Sequence, residues 1–106
     1  NRGLANPSSM DFYSLAGTIE DHASNLPLAC YKIFQMLDNI RYIIGIEAMH
    51  AAQAIDLRGN KKLGEGTKKA YSLIREVLPF YNEDRNISRD IETMYEFIKS
   101  KKLLNI

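Results

Sequence analysis

The most regular feature of the chain is a run of apolar residues three or four positions apart between residues 28 and 57. This spacing places them on one face of an α-helix, so it predicts a single helix about 45 Å long. Four nearby alanines would let another backbone approach closely. So long a helix is typical of a bundle larger than this chain. The predicted seam consists of Ile33, Leu37, Ile40, Ile44, Ala48, Ala51 and Ile55.

Two shorter amphipathic stretches follow a glycine-rich segment at 58–66. Thr67 is predicted to cap a second helix that ends at about Leu78, before Pro79, and Ser88 is predicted to cap a third helix. No strand pattern occurs, so the predicted fold is all-α: one long bundle helix and two shorter helices packed back on it. Their predicted buried faces are Ala70, Leu73, Ile74, Val77 and Leu78, then Ile91, Met94, Tyr95 and Ile98.

The N-terminal segment has no helical or strand period and is rich in glycine, proline and serine, which predicts a loop with room for a short helical turn. Asn25 is predicted to cap the long helix, with Pro27 in the first turn, where a missing N–H is harmless. The chain is therefore divided into a loop segment, 1–25, and a helical region, 26–106.

Composition narrows the class of protein. The chain has 106 residues, of which 45% are hydrophobic and 25% charged, with a net charge of +1. These values are ordinary for a globular domain and provide no strong field for nucleic acid or an anionic membrane. No apolar run is long enough to span a membrane. Cys30 is the single cysteine, so no internal disulfide is possible; a reducing compartment and a core position are expected for it.

Candidate chemistry is concentrated in Glu20, Asp21 and His22, three consecutive ionisable residues just before the long helix. Consecutive residues point in different directions, whereas helical metal sites use spacings of three or four, so no metal is expected. On residue chemistry alone, charges near a helix N-terminus explain the triplet better than catalysis. Glu47 interrupts an apolar run and is expected to be exposed or structural.

Five segments spread along nearly the whole chain form a recognisable series. They are Leu4-Ala5-Asn6-Pro7-Ser8-Ser9-Met10-Asp11, Glu20-Asp21-His22-Ala23-Ser24, Ile46-Glu47-Ala48, Ala51-Ala52-Gln53-Ala54-Ile55-Asp56-Leu57-Arg58, and Asp84-Arg85 with Ser88, Asp90, Ile91 and Glu92. Each segment is short, but their order along the chain is that of one enzyme family, and together they are specific. In these segments the chain resembles the histidine ammonia-lyase family.

The resemblance implies a cytoplasmic, mostly helical homotetramer that removes ammonia from an aromatic amino acid. The family's electrophile is a methylidene-imidazolone group, formed from an internal Ala-Ser-Gly tripeptide. This chain has no such tripeptide, and its nearest segment is Ala23-Ser24-Asn25. The resemblance therefore implies a C-terminal part of a larger enzyme, with no catalytic residue of its own and no activity when isolated.

Glu20 is the one residue to which the resemblance assigns a substrate contact, with Asp21 and His22 supporting the loop. A carboxylate can accept a charge-assisted hydrogen bond from an imidazole N–H or an ammonium group. The implied substrate is L-histidine, converted to trans-urocanate and ammonia. The chain departs from the family where Ile19 replaces Gln and where Asn25 and Leu26 replace Met and Gly.

Two alternatives stay open on the sequence. One is a related lyase or aminomutase that acts on another aromatic amino acid, which the departures around Glu20 would fit. The other is a non-enzymatic helical interaction module, which the missing tripeptide and the long apolar seam would fit.

Overall fold

The computed structural model describes residues 1–10, 17, 24–59 and 62–105. Within these ranges the chain forms helices and no strand, which confirms the all-α prediction. The chain divides into two compact units, Asn1–Asn39 and Ile40–Ile106, and the longest helix contributes to both. The α-helices are α1 (Leu26–Leu57), α2 (Glu65–Val77) and α3 (Ile87–Lys99), with short 3-10 helices at Ser8–Met10 and Lys102–Asn105.

In the first unit, side chains of α1 form hydrogen bonds with the N-terminal segment. The Asn39 side-chain amide donates to Oδ1 of Asn1 at 2.8 Å. The Lys32 ammonium donates to the carbonyl of Asn6 at 2.9 Å. Because the partner on α1 moves from position 39 back to 32 as the segment advances, the segment runs antiparallel to the helix.

In the second unit, all three helices contribute to one small hydrophobic core. The predicted apolar faces of α2 and α3 are buried or half-buried, as expected from their spacing. Phe97 also belongs to the core, although the predicted buried face of α3 did not include it. Among the described residues, the buried hydrophobic side chains are Met49, Ala52, Ile74, Leu78, Met94 and Phe97.

The face that α1 buries in this core differs from the predicted seam. Gly45, Met49 and Ala52 are its buried residues, and each lies one position after a seam residue. One position corresponds to a rotation of about 100° around the helix. The first four seam residues remain exposed, including Ile40 at 41% and Ile44 at 44%. Helix α1 therefore has two apolar faces, and the described part of the chain covers one of them.

Helix α1 lies close to α3 at Gly45. A Cβ atom at this position would lie 3.2 Å from Cβ of Met94 and 3.3 Å from its carbonyl carbon. One turn earlier, the rings of Tyr42 and Tyr95 stack with centroids 4.3 Å apart. The Tyr42 hydroxyl also lies 3.1 and 3.2 Å from the carboxylate oxygens of Glu92. The missing side chain at Gly45 thus permits the contact that these larger side chains extend.

Two predicted helix caps are wrong. Helix α2 begins at Glu65, and the preceding Gly64 offers no side-chain cap, so Thr67 already lies inside the first turn. In α3 the capping side chain is Asn86, whose Oδ1 accepts from the amide of Ser88 at 3.1 Å. Ser88 is therefore the residue that is capped, because its N–H is one of the unpaired donors of the first turn.

Two single-residue expectations on α1 have opposite outcomes. Glu47 is exposed, as predicted. Cys30 is exposed, so its predicted core position is wrong. It lies in the half of α1 before the buried face begins, where large apolar neighbours such as Tyr31 and Ile33 are exposed too. None of the helices in the described ranges is long and apolar enough to cross a membrane.

Changing Gly45 to Leu should destabilise the fold, because the new side chain has to enter the contact between α1 and α3. Overpacking of this kind costs about 1–3 kcal/mol. Gly66→Ala is the matched control: nothing lies within 4 Å of a Cβ there, and alanine favours a helix. The melting temperature of the full-length protein should fall for Gly45→Leu and stay the same or rise for Gly66→Ala. An unchanged melting temperature for Gly45→Leu would contradict the close approach.

The isolated chain should self-associate through the uncovered seam, since water contacts its large aliphatic side chains. Replacing Ile40 with Glu should weaken the association because it places a charge in the seam. Gln35→Glu adds the same charge at an exposed position of the same helix and should have no effect. Sedimentation velocity distinguishes the species, and a stable monomer of the unchanged chain would contradict this prediction.

Candidate functional site

The predicted site residues Glu20, Asp21 and His22 lie outside the described residues. Their assignment as substrate contact and loop support therefore stays a prediction. The structure does describe both flanks of the segment that carries them, up to Met10 on one side and from Ser24 on the other. The placement of these flanks constrains where that segment starts and where it ends.

A hydrogen bond joins the two flanks directly. The Asn25 side-chain amide donates to the carbonyl of Ser8 at 3.0 Å, although the two residues are 17 positions apart. Asn25 has a positive φ of 48°, and its carbonyl accepts from the amide of Ala29 at 3.0 Å as α1 begins. Ser8 and Asn25 thus lie next to each other, beside the first turn of α1. That the Asn25 side chain caps α1 stays a prediction.

The chain does not fit the family's electrophilic group. Ala23-Ser24-Asn25 has Asn where the cyclising tripeptide has Gly. In the structure, Asn25 is engaged at the start of α1 and with Ser8. No step of a reaction is therefore assigned to a methylidene-imidazolone group within this chain.

Polar side chains in the second unit form a connected cluster around an ion pair. Nε and Nη2 of Arg75 both donate to Oδ2 of Asp56, at 2.9 and 2.6 Å. The Tyr71 hydroxyl donates to the other carboxylate oxygen, Oδ1. The paired side chains are only 15% and 16% exposed. This pair joins the end of α1 to α2 and is shielded from most of the solvent.

Gln53, one turn before Asp56, holds the turn that follows α2. Its side-chain amide donates to the carbonyl of Tyr81 at 2.9 Å, and its Oε1 accepts from the Tyr81 amide at 3.0 Å. Nη1 of Arg75 donates to the carbonyls of Leu78 and Pro79, at 3.1 and 3.2 Å. Side chains of α1 and α2 thus form hydrogen bonds with backbone groups of residues 78–81, which lie outside any helix.

Arg85 completes the cluster from the other side of the turn. Its Nε donates to Oδ2 of Asp90 at 2.8 Å, and its Nη1 and Nη2 donate to the carbonyls of Phe80 and Pro79 at 3.1 and 3.2 Å. The guanidinium also lies 4.8 Å from the ring centroid of Tyr81. Both arginines therefore share the Pro79 carbonyl. We call this cluster the arginine clasp; its side chains are Gln53, Asp56, Arg75, Arg85 and Asp90.

The arginine clasp was not found as a unit from the sequence. Asp56, Arg85 and Asp90 fell within the segments that resemble the family, but Arg75 was not singled out at all. The partners are far apart in sequence: Arg75 lies 19 positions from Asp56, and Tyr81 lies 28 from Gln53. Periodicity within one helix does not report contacts of this range. The signals in the sequence that could have pointed to the cluster were the segments Asp56-Leu57-Arg58 and Asp84-Arg85, which resemble the family.

A cavity of about 210 Å³ lies against the clasp, with Met49, Leu78 and Pro79 among its apolar lining residues. The charged residues in its wall are already engaged: Arg75 with Asp56, and Arg85 with Asp90. These charges stabilise the junction of the three helices and leave a mainly apolar wall. Among the residues that the structure describes, no three His, Cys, Asp or Glu side chains are grouped as metal ligands.

Comparison with known proteins gives consistent results. The family model described as aromatic amino acid lyase matches residues 1–76. A histidine ammonia-lyase of Natranaerobius thermophilus is 37% identical over 99% of this chain and 21% of its own length. One of Treponema denticola is 39% identical over 100% of this chain and 21% of its own length. The chain thus spans about a fifth of these relatives.

A solved structure has the same fold over the same range. The crystal structure of histidine ammonia-lyase from Trypanosoma cruzi superposes with a TM-score of 0.91 and 32% sequence identity. The match covers 98% of this chain and 20% of that one. The similarity in sequence and the similarity in fold therefore extend over the same part of the chain.

Removing the central cation of the arginine clasp should destabilise the helical region. Arg75→Met removes the shielded Asp56–Arg75 ion pair and the hydrogen bond from Arg75 to the Leu78 carbonyl, which should cost about 2–4 kcal/mol. Arg89→Met is the control, because Arg89 is exposed on α3. The melting temperature of the full-length protein should fall for Arg75→Met and not for Arg89→Met. Equal melting temperatures for the two variants would contradict a stabilising role.

Proposed function

The chain belongs to the aromatic amino acid lyase family, and on that premise we propose that it is the C-terminal part of a histidine ammonia-lyase. The whole protein would convert L-histidine to trans-urocanate and ammonia. The observation that carries the proposal is the 39% identity to a histidine ammonia-lyase along the full chain. The agreement in fold with a solved histidine ammonia-lyase supports it independently of single motifs.

Within this proposal, Glu20 contacts the substrate. Its carboxylate accepts a hydrogen bond from the imidazole N–H or the ammonium group of histidine, and the negative charge strengthens that bond. Asp21 and His22 support the same segment. The support is the resemblance of Glu20-Asp21-His22 to the family's loop, together with the Asn25–Ser8 bond that brings the ends of this segment together.

The rest of the parent protein supplies what this chain lacks. A methylidene-imidazolone group formed from an Ala-Ser-Gly tripeptide elsewhere in the polypeptide provides the electrophile, and no metal is required. The isolated chain is therefore inactive. The whole protein is a cytoplasmic homotetramer that binds neither nucleic acid nor a membrane. The exposed seam residues around Ile40 and Ile44 favour assembly, because large aliphatic side chains on a long helix are normally covered.

Replacing Glu20 with Gln in the full-length protein should lower kcat/KM for histidine roughly 10- to 100-fold, because the contact loses its charge. Glu83→Gln makes the same chemical change at an exposed position and should leave the kinetics unchanged. Urocanate formation is followed by its ultraviolet absorbance. Unchanged kinetics for Glu20→Gln would remove Glu20 from the site.

The parent polypeptide supplies a second test. An Ala-Ser-Gly tripeptide should precede Asn1 in the same reading frame. A parent sequence without it would contradict the ammonia-lyase proposal and favour a non-enzymatic helical module.

A further inference from the structure

We propose that the cavity beside the arginine clasp is a binding site for a small, neutral aromatic molecule that carries one hydrogen-bond donor. The cavity has a volume of about 210 Å³, and its lining residues all belong to the second compact unit. None of them belongs to the segment that carries Glu20, so the inference does not rest on the ammonia-lyase reaction. It rests on the volume of the cavity, its apolar wall and one ring nitrogen of His50.

The cavity has an apolar floor and a rim that is open to solvent. Met49 and Leu78 are buried and form the floor, whereas His50, Pro79 and Ile87 are exposed and lie at the rim. A molecule can therefore enter from water and reach apolar side chains at the bottom. An apolar cavity of about 150 Å³ stays dry and binds benzene. A volume of about 210 Å³ is thus suited to a single substituted aromatic ring.

The charges in the wall of the cavity are balanced within the protein. Arg75 pairs with Asp56 at 2.6 Å, and Arg85 pairs with Asp90 at 2.8 Å. Both guanidinium groups also donate to backbone carbonyls of the turn after α2. A carboxylate ligand would have to compete with these bonds, and a cationic ligand would lose its water without gaining an unpaired anion in the described wall. A neutral ligand requires neither change, so neutral molecules are favoured.

His50 gives the wall a hydrogen-bond acceptor. Its Nδ1 lies 2.8 Å from the carbonyl oxygen of Ile46, and because a carbonyl can only accept, Nδ1 carries the proton of this bond. In the neutral imidazole the other ring nitrogen, Nε2, is then an acceptor. No hydrogen bond within the described part of the chain engages Nε2. A ligand with one N–H or O–H group can bind this nitrogen while its ring lies on the apolar floor.

The neighbouring polar side chains of the wall are already engaged. The Gln53 side chain bonds to both the N–H and the carbonyl of Tyr81. The Tyr81 hydroxyl donates to Asp84 at 2.8 Å. His50 therefore determines the class of ligand, which is a small ring with a donor at one edge, as in a phenol or an indole.

The test compares 4-bromophenol with bromobenzene on the full-length protein, because the two molecules differ only in the hydroxyl group. Anomalous scattering from soaked crystals should locate the bromine of each inside the cavity, and titration calorimetry should give 4-bromophenol the higher affinity. The charged 4-bromobenzoate should not bind there. His50→Phe keeps a ring at the rim and removes the acceptor. It should weaken binding of 4-bromophenol about three- to tenfold and should not weaken that of bromobenzene.

Glu76→Phe is the matched control, since it adds the same ring at an exposed position of α2 that does not line the cavity. Both affinities should stay unchanged in this variant. Circular dichroism checks that each variant folds. If His50→Phe does not fold, the comparison of the two ligands on the unchanged protein still decides, because equal affinities would contradict a hydrogen bond at the rim.

Several results would overturn the inference. One is a cavity without bromine, or one filled by a side chain from elsewhere in the parent protein. Another is bromine in the crystal with no measurable affinity in solution, which would mean binding at crystal concentration only. Equal affinities of His50→Phe and Glu76→Phe for 4-bromophenol would remove His50 from the site. Turnover of histidine is a separate measurement, so failure of the proposed function would leave this inference standing.

Discussion

The structure depends on one constraint: α1 has two apolar faces, and a single small core can cover only one of them. Gly45, Met49 and Ala52 pack against α2 and α3. The seam at Ile40 and Ile44, about 100° around the helix, stays in contact with water. A helix of 32 residues with apolar residues on two faces is suited to the interior of a larger bundle. This agrees with a chain that spans a fifth of its relatives.

The arginine clasp stabilises the junction that this packing creates. The turn after α2 leaves the carbonyls of residues 78–80 without helical partners, and that of the buried Leu78 would cost free energy if it were unpaired. Arg75 and Arg85 donate to those carbonyls, while Asp56 and Asp90 balance their charges. The Gln53 side chain forms hydrogen bonds with both the N–H and the carbonyl of Tyr81. The short helices are therefore held to α1 by hydrogen bonds as well as by the buried apolar side chains of the core.

Much of this architecture could be predicted from periodicity, and the failures have physical causes. The spacing of apolar residues identified all three helices, because it reports which positions share a face. It did not indicate which of two neighbouring faces of α1 meets α2 and α3, since that depends on close approach at Gly45. The predicted caps at Thr67 and Ser88 were wrong. A hydroxyl side chain near a helix start is only a candidate cap, because the residue at which a helix begins depends on which backbone N–H groups are paired. Glu20 was singled out by resemblance alone, since local chemistry gave it no priority over Asp21 and His22.

We propose that the whole protein has a site specific for histidine, to which this chain contributes Glu20. Turnover by the full-length protein, measured side by side with L-histidine, L-phenylalanine and L-tyrosine, tests it most directly. Ultraviolet absorbance distinguishes urocanate from the products of the other two substrates. We expect rapid formation of urocanate and little or no product from phenylalanine or tyrosine. Product from either of these with none from histidine would contradict the account.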